Sequence, residues 1–308
     1  MDISSILSLL QTSVELGLVS SLTVLALFLS YTMLNVCDLS TDGCFTLGAA
    51  VGAVVALSGH PFLSIPAAML AGVTSGFITG ILQTKMGIDS LLSGIIVNTA
   101  LYSINIAIMG NSSLINLNKT ETVFTMLKTA LSGTSMAGMY KAVIAVIAVA
   151  ATVIFLALFL STRLGLAIRA TGNNPDMVRS SSINPVFTTL VGLCVANAFT
   201  ALSGCMLGQL QKSVNIDIGT GMVTMALASL LIGRAFLGRG KITTRAIGAV
   251  LGAVIFRIFY AVALRFNMPA FMLKFVSSVI VIIAISGPYL KSRIPVIKRR
   301  LSAKKARA

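Results

Sequence analysis

The sequence lacks most of the groups on which soluble enzymes rely. Only 10% of its 308 residues are charged, tryptophan is absent, and His60 is the only histidine. Soluble domains carry roughly 25% charged residues. His60 stands in the stretch SGHPF between two apolar runs, where we predict a loop. A single histidine in a predicted loop therefore indicates neither a histidine-based metal centre nor a Ser-His-Asp triad.

Cysteines and nucleotide-binding motifs do not indicate an enzyme either. No two cysteines have C-x-x-C spacing, and each lies in or beside an apolar run. We predict small buried side chains and neither disulfides nor metal ligands at Cys37, Cys44, Cys194 and Cys205. The stretch GRAFLGRGK at residues 233–241 resembles a phosphate loop, but it lacks G-K-[ST] and follows an apolar run. We therefore expect no catalytic residue, no bound cofactor and no ATP hydrolysis by this chain.

Long apolar runs dominate what is present. Hydrophobic residues make up 56% of the chain, and runs near the ~20 residues that cross a bilayer recur along it. The predicted fold is all-α, a polytopic membrane protein with one domain over residues 1–308. About nine transmembrane helices are predicted, at residues 14–34, 45–59, 64–84, 91–110, 141–161, 186–207, 222–236, 246–266 and 270–288. The second and seventh are short and glycine-rich at their starts, which favours broken or re-entrant helices.

The positive charges predict an orientation in the membrane. The net charge of +15 comes from lysines and arginines between and after the apolar runs. This placement is typical of topology signals, and it argues against nucleic acid as a partner. Sixteen of these residues fall on one side of the predicted spans, eight of them in the tail 289–308, and five fall on the other side. The C-terminus is then cytoplasmic and the N-terminus external.

Two segments repeat one another. The stretch DLSTDGCFTLGA from Asp38 matches DIGTGMVTMAL from Asp217 once a single residue is skipped, and each copy opens a predicted span. Asp38 is predicted on the cytoplasmic side and Asp217 on the outer side. The repeat is therefore inverted, with halves 14–110 and 186–288 joined by the helix 141–161, an arrangement that recurs in transporters.

Glycines at four-residue spacing support this pairing of the halves. They occur in the third span at Gly72, Gly76 and Gly80, and in the eighth at Gly248 and Gly252. Such spacing lets helix backbones approach closely. Close packing is predicted, and chance spacing is the alternative.

Acidic residues are poorly placed for an ion-coupled carrier. Such carriers often keep an acid at membrane depth, whereas all eight Asp and Glu residues are predicted at span ends or in loops. An ion-driven mechanism is weakened by this placement. Energy for transport is then expected from a partner on one face of the membrane.

The polar segment 162–185 is suited to such a partner. Its stretch NPD at 174–176 has an N-cap, a first-turn proline and a first-turn acid, which predicts a cytoplasmic helix of about two turns. The stretch NP at 184–185 predicts the start of the next span in the same way. The short helix is expected to expose three side chains, Met177, Val178 and Arg179. A solvated loop that carries topology charges is the alternative.

Three motifs, taken in order, resemble those of a known family. TRLGLAIRATGNNPDMVRSSSINP resembles the cytoplasmic coupling segment of ATP-binding-cassette importer permeases of the branched-chain amino acid and ribose type. CDLSTDGCFTLGAAVGAVVAL resembles that family's first-half motif, and ASLLIGRAFLGRGKITTRAIGAVLGAVI resembles its second-half motif. The resemblance covers about residues 14–288. LLSGIIVNTALYSINIAIMG and FRIFYAVALRFNMPAFMLKF are similar to a subgroup associated with amino acids, including aromatic ones.

The resemblance implies a bacterial importer in the cell membrane. It would contain two permeases, with a second copy of this chain expected, two cytoplasmic ATPases that bind ATP and Mg²⁺, and an external substrate-binding protein. Residues that match the coupling segment would contact the ATPase: Arg169, Gly172, Asn173, Asn174, Pro175, Asp176, Met177, Val178 and Arg179.

Polar side chains at membrane depth are the candidates for the path. They are Asn98, Tyr102, Asn105, Asn197, Arg257 and Lys274. A charge at the middle of a span costs at least ~2.5 kcal/mol unless it finds water or a partner. Arg257 is therefore expected to steer a substrate carboxylate, or else to make a structural ion pair or carbonyl contact. Lys274 either assists it or snorkels, and helix-to-helix hydrogen bonds are the alternative for the uncharged residues.

The function predicted is that of the permease subunit of an ATP-driven importer of a small solute, with an amino acid favoured. The alternatives are the same importer type for a sugar or nucleoside, a self-sufficient ion-coupled carrier, and a membrane scaffold without transport. In this family the separate binding protein largely sets selectivity, so the sequence leaves the substrate open.

Overall fold

A computed structural model describes residues 3–130, 139–238, 240–265, 275, 278–282 and 286. This part of the chain is helical apart from its loops and two short paired strands. The elements are α1 (Ile3–Leu27), α2 (Thr41–Leu57), α3 (Ser64–Thr84), α4 (Ser90–Ile108), β1 (Leu114–Asn116), α5 (Val123–Ala130), α6 (Tyr140–Ser161), α7 (Arg163–Asn173), α8 (Pro175–Ser180), α9 (Pro185–Gln211), β2 (Ser213–Asn215), α10 (Met222–Leu237) and α11 (Ile242–Arg265).

The prediction of an all-α polytopic membrane protein is confirmed. Within the described residues, six helices are long and apolar enough to cross a membrane, and α2 and α10 are shorter apolar helices. The first helix begins at Ile3, eleven residues before the predicted span, and continues as a π-helix over Phe28–Met33. The ninth predicted span, 270–288, lies largely outside the described residues, and the tail 289–308 lies wholly outside them.

The first helices of the two halves run antiparallel. The Ser203 hydroxyl of α9 donates to the Val19 carbonyl of α1 at 2.8 Å, whereas Gly192 near the start of α9 packs on Leu34, which follows α1. Each also packs extensively against the third helix of the other half, α3 on α9 and α11 on α1. This exchange is what an inverted repeat requires.

Glycines make the close contacts that their spacing predicts. A Cβ at Gly72 or Gly76 of α3 would overlap the backbone of α9, and one at Gly252 of α11 would overlap the backbone of α10. In α2, a Cβ at Gly48 would overlap the backbone of Ala201. Close packing is confirmed, because only a residue without a side chain lets these backbones approach so near.

Helix α9 runs through the whole height of the bundle, so its length and its two ends are used to describe positions in the bundle. Its 27 residues correspond to about 40 Å at 1.5 Å per residue, and Asn197 stands at its middle. We call the end of the bundle at α7 and α8 the α8 end. The opposite end, where β1 pairs antiparallel with β2, is the sheet end.

Helices α2 and α10 both start near the middle of the bundle. After α1 the chain turns at Asn35, whose φ is +57°, and returns to half the height of α9, where Asn197 binds Asp38. From there α2 runs to the sheet end alongside α9, with Gly48 at Ala201 and Gly52 at Cys205. The chain after β2 likewise enters from the sheet end, and α10 runs from the middle towards the α8 end.

Candidate functional site

The segment 162–185 is ordered by three helix caps. Each cap side chain accepts hydrogen bonds from backbone N–H groups that the helix itself leaves unpaired. The cap residues are Thr162 for α7, Asn174 for α8 and Asn184 for α9. Asn174 Oδ1 accepts from both Asp176 and Met177 at 3.0 Å. The short helix predicted from the NPD stretch is therefore present over Pro175–Ser180.

Buried contacts anchor this segment to the bundle. The hydroxyls of Thr171 in α7 and Thr188 in α9 lie 2.8 Å apart. Ile168 is fully buried, and the Gly172 backbone packs directly on Met33 and Leu34 at the end of the first helix. A displacement of α7 would therefore be transmitted to the first helix and to α9.

The predicted exposure of Val178 is wrong. Its side chain is only 1% exposed, because on a helix of six residues the apolar side chain lies against the protein body. Its neighbours Met177 and Arg179, about 100° to either side, point outward. The exposed residues form what we call the α8 surface: Asn173, Asn174, Pro175, Asp176, Met177 and Arg179. Arg169 and Gly172 are partly exposed.

Arginines from three helices meet at the α8 end. Arg245 at the start of α11 lies over the Phe28 ring, 5.7 Å from its centroid. It is close enough to Arg169 of α7 and Arg234 of α10 to feel their charge. All three were predicted on the cytoplasmic side. Their convergence agrees with the prediction that these three arginines lie on the same side of the membrane.

One carboxylate joins the two helix starts at the middle of the bundle. Asp42 lies in the first turn of α2. Its Oδ2 accepts from the Gly221 N–H at 2.9 Å and its Oδ1 from the Val223 N–H at 2.8 Å, both at the start of α10. Helix starts carry a partial positive charge. Asp42 therefore stabilises two helix starts at once and links the two halves.

The prediction that no acid lies at depth is wrong. Asp38 is 2% exposed, and its Oδ2 accepts from the Asn197 amide at 2.9 Å, halfway along α9. Its Oδ1 accepts from the Ser40 N–H at 2.8 Å. The chain re-enters the bundle after the first helix, so a residue at a predicted span end lies deep inside. The placement of acids therefore does not argue against ion coupling.

Three path candidates line one cavity. This α4 cavity has a volume of about 430 Å³, and the re-entrant loop before α10 forms one wall. Its lining residues are Asp42, Gly43, Thr46, Asn98, Thr99, Tyr102, Ser103, Asn105, Ile216, Asp217 and Thr220. The Asn105 amide donates to the Gly43 carbonyl at 3.2 Å. Its oxygen is buried and has no partner in the described part of the chain.

Arg257 lines a second cavity on the other side of the same loop. This Arg257 cavity, of about 410 Å³, also contains Thr220, Gln211 and Tyr260. The Arg257 guanidinium donates to the Ser20 hydroxyl from Nε at 3.2 Å and from Nη2 at 2.9 Å, and it lies 5.8 Å from the centroid of the Tyr260 ring. A hydroxyl and a ring therefore hold it, and Thr220 lines both cavities.

One further path candidate, Asn197, lines neither of these two cavities. Asn197 is buried and binds Asp38, which favours the structural alternative for its side chain. Lys274 lies outside the described residues.

Sequence reasoning missed Asp42 and Asp217 as cavity residues. Asp42 is the residue that must be skipped to align the two repeats. The signal available in the sequence was an acid at the start of α2 that has no counterpart in the other repeat. The predicted free, buried thiols are found at Cys44 and Cys205, and Cys37 and Cys194 are free and partly exposed. Within the described residues no group of His, Cys, Asp and Glu could hold a metal ion.

Comparisons with known proteins agree with this architecture. Residues 9–285 match a family described as branched-chain amino acid transport system / permease component. The chain is 31% identical over 267 residues to a tyrosine transport system permease protein of Clostridioides difficile, covering 86% of each chain. It is 26% identical over 286 residues to an uncharacterized protein of Rickettsia prowazekii, covering 91% of this chain and 98% of the relative.

A third relative is more distant. The nucleoside ABC transporter permease protein NupB of Lactococcus lactis is 28% identical over 180 residues, which is 52% of this chain and 48% of the relative. No solved structure matches the chain. The family match covers most of the chain and agrees with its apolar helices. The protein therefore belongs to the family of branched-chain amino acid transport system permease components, and it is a multi-pass permease component of an ATP-binding-cassette transporter in the cell membrane.

Proposed function

We propose that this chain forms the translocation path of a bacterial importer for an amino acid. The observation that carries the proposal is the meeting of α2 and α10 at mid-bundle, with a polar cavity on each side of their shared loop. Broken helices whose starts lie at the membrane midplane recur at substrate sites of transporters. The relative named for tyrosine transport supports an amino acid. The relative named for nucleosides makes a nucleoside the second candidate.

The α8 surface is the proposed docking site for a cytoplasmic ATPase, which binds ATP and Mg²⁺. Helix α8 is capped by Asn174, and buried contacts tie the preceding helix α7 to α1 and α9. Closing of a pair of ATPases would therefore move the long helices as rigid levers and open the path to one side at a time. Two ATPases, a second copy of this chain and a binding protein at the external sheet end complete the proposed assembly.

Arg257 is the proposed contact for a substrate carboxylate. We expect Arg257→Gln to lower uptake about tenfold, the effect of losing one charge-assisted hydrogen bond. Glutamine can still bond to the Ser20 hydroxyl, so the variant tests the charge more than the packing. The measurement is uptake by proteoliposomes that hold equal amounts of assembled complex. Unchanged uptake would show that Arg257 is structural.

The substrate class is tested by reconstituting the permease, its ATPase and its binding protein. Amino acids, sugars and nucleosides are added in turn while ATP hydrolysis is measured. We expect stimulation by one or more amino acids, with aromatic ones included. Stimulation by nucleosides alone would transfer the proposal to the second candidate. Stimulation by sugars alone would reject both.

A further inference from the structure

We propose that the α4 cavity binds the ammonium group of the transported amino acid, with Asp217 as its counter-ion. This inference rests on the proposed function, because it concerns an amino acid that enters from the sheet end. It adds a second charged contact to the one proposed for Arg257. The two contacts lie on opposite sides of the loop that carries Thr220. Because the ammonium and the carboxylate of an α-amino acid share one carbon, the substrate makes these two contacts one after the other along the path.

The cavity is lined by hydrogen-bond acceptors and by carboxylates. Among its described lining residues none is basic, whereas two are aspartates and several carry hydroxyl or amide oxygens. Ammonium groups have three N–H donors and no acceptor. A volume of about 430 Å³ is within the range of roughly 300–1,000 Å³ that small-molecule sites occupy. The composition therefore fits an organic cation.

Its two aspartates have different tasks. Asp42 accepts from two N–H groups at the start of α10 and lies in the first turn of α2. Each helix start carries a partial positive charge, and both oxygens of Asp42 are already occupied by N–H groups of the protein. The side chain of Asp217 is exposed on the same cavity. Asp217 therefore supplies the uncompensated negative charge.

Asn105 independently points to a missing donor. The residue is 1% exposed, its amide nitrogen is used by the Gly43 carbonyl, and its oxygen lacks a partner within the described chain. A buried acceptor without a donor costs about 1–3 kcal/mol. Asn105 lines the cavity but its oxygen is closed to solvent, so a ligand N–H would satisfy this oxygen once the amide turns towards the cavity.

The repeat shows that Asp217 is not required for packing in the way that Asp38 is. The two occupy equivalent positions of the inverted halves. Asp38 is buried and both its oxygens accept hydrogen bonds from the protein. In the described part of the chain no hydrogen bond ends on the Asp217 carboxylate, and it faces the cavity. The same position is structural in one half and available to a ligand in the other.

The test measures probe binding to the purified permease–ATPase complex in nanodiscs, without binding protein. Tyramine carries the ammonium group alone, and 3-(4-hydroxyphenyl)propionate carries the carboxylate alone. We expect saturation-transfer NMR to detect tyramine on the wild-type complex. Asp217→Asn should weaken tyramine binding about tenfold, as expected for the loss of one charged hydrogen bond. The same variant should leave the binding of 3-(4-hydroxyphenyl)propionate unchanged. Asp217→Glu should restore tyramine binding.

Asp89→Asn is the matched control. It removes an acid at the other end of α4, where asparagine can still cap the helix in place of Asp89, and tyramine binding should not change. The inference is overturned if Asp217→Asn binds tyramine as the wild type does, or if the wild type binds no tyramine. It is also overturned if sodium chloride displaces tyramine and choline chloride does not, because the site would then bind a sodium ion and not an organic ammonium group. If no amino acid stimulates ATP hydrolysis by the wild-type complex, the proposed function fails. If amino acids stimulate ATP hydrolysis by the wild-type complex and Asp217→Asn binds tyramine as tightly as the wild type, only the inference about the α4 cavity fails.

Discussion

Asp42→Ala is expected to lower transport by tenfold or more and to reduce the thermal stability of the permease. The change removes the acceptor of the Val223 N–H, which lies in a buried part of α10. It also removes the acceptor of the Gly221 N–H, beside the Arg257 cavity. An unpaired buried donor costs about 1–3 kcal/mol. Helices α2 and α10 also lose the side-chain hydrogen bonds that link their starts. Uptake by proteoliposomes and unfolding in nanodiscs measure both effects.

Asp42→Asn separates hydrogen bonding from charge. Asparagine keeps one acceptor oxygen, so it should retain part of the stability, whereas alanine retains none. Asp89→Asn is again the control that removes an acid without removing a cap. If Asp42→Ala transports and unfolds like the wild type, Asp42 does not join the two halves.

Asn174→Ala combined with Arg179→Ala is expected to uncouple ATP hydrolysis from transport. The first change removes the cap of α8, which is worth about 1 kcal/mol, and so loosens the proposed docking helix. The second removes an exposed positive charge from the α8 surface. We expect at least a tenfold fall in uptake per ATP hydrolysed, or a loss of ATPase on co-purification.

A matched double variant controls for the general loss of a cap and a charge. Asn184→Ala removes the cap of α9, and Arg163→Ala removes an exposed arginine outside the α8 surface. This variant should keep the ATPase bound and the transport coupled. Equal uncoupling by both double variants would mean that the α8 surface has no special role.

Local signals predicted some of the helix boundaries. The bounds of α3 coincide with the predicted span 64–84, and α10 begins at residue 222 as predicted. The Asn-Pro pairs placed the starts of α8 and α9, because a cap and a first-turn proline act within one turn of the chain. Glycine spacing predicted close packing for a similar reason, since it marks one helix face.

Depth in the bundle could not be predicted in this way. Counting spans assigns each loop to one membrane surface, and a re-entrant segment breaks that rule. Asp38 follows the first span by a few residues, yet it binds the middle of α9. The same limit hid Asp42, whose partners lie about 180 residues away on α10. Val178 was misplaced because a six-residue helix has too little periodicity to show its buried side.

ATP dependence of uptake tests the central claim most directly. Proteoliposomes are prepared with the permease and its ATPase, the loaded binding protein is added outside, and a radiolabelled amino acid that stimulates hydrolysis is followed. We expect uptake with ATP inside and none with a non-hydrolysable analogue. Uptake without ATP, driven by a sodium or proton gradient, would contradict the account.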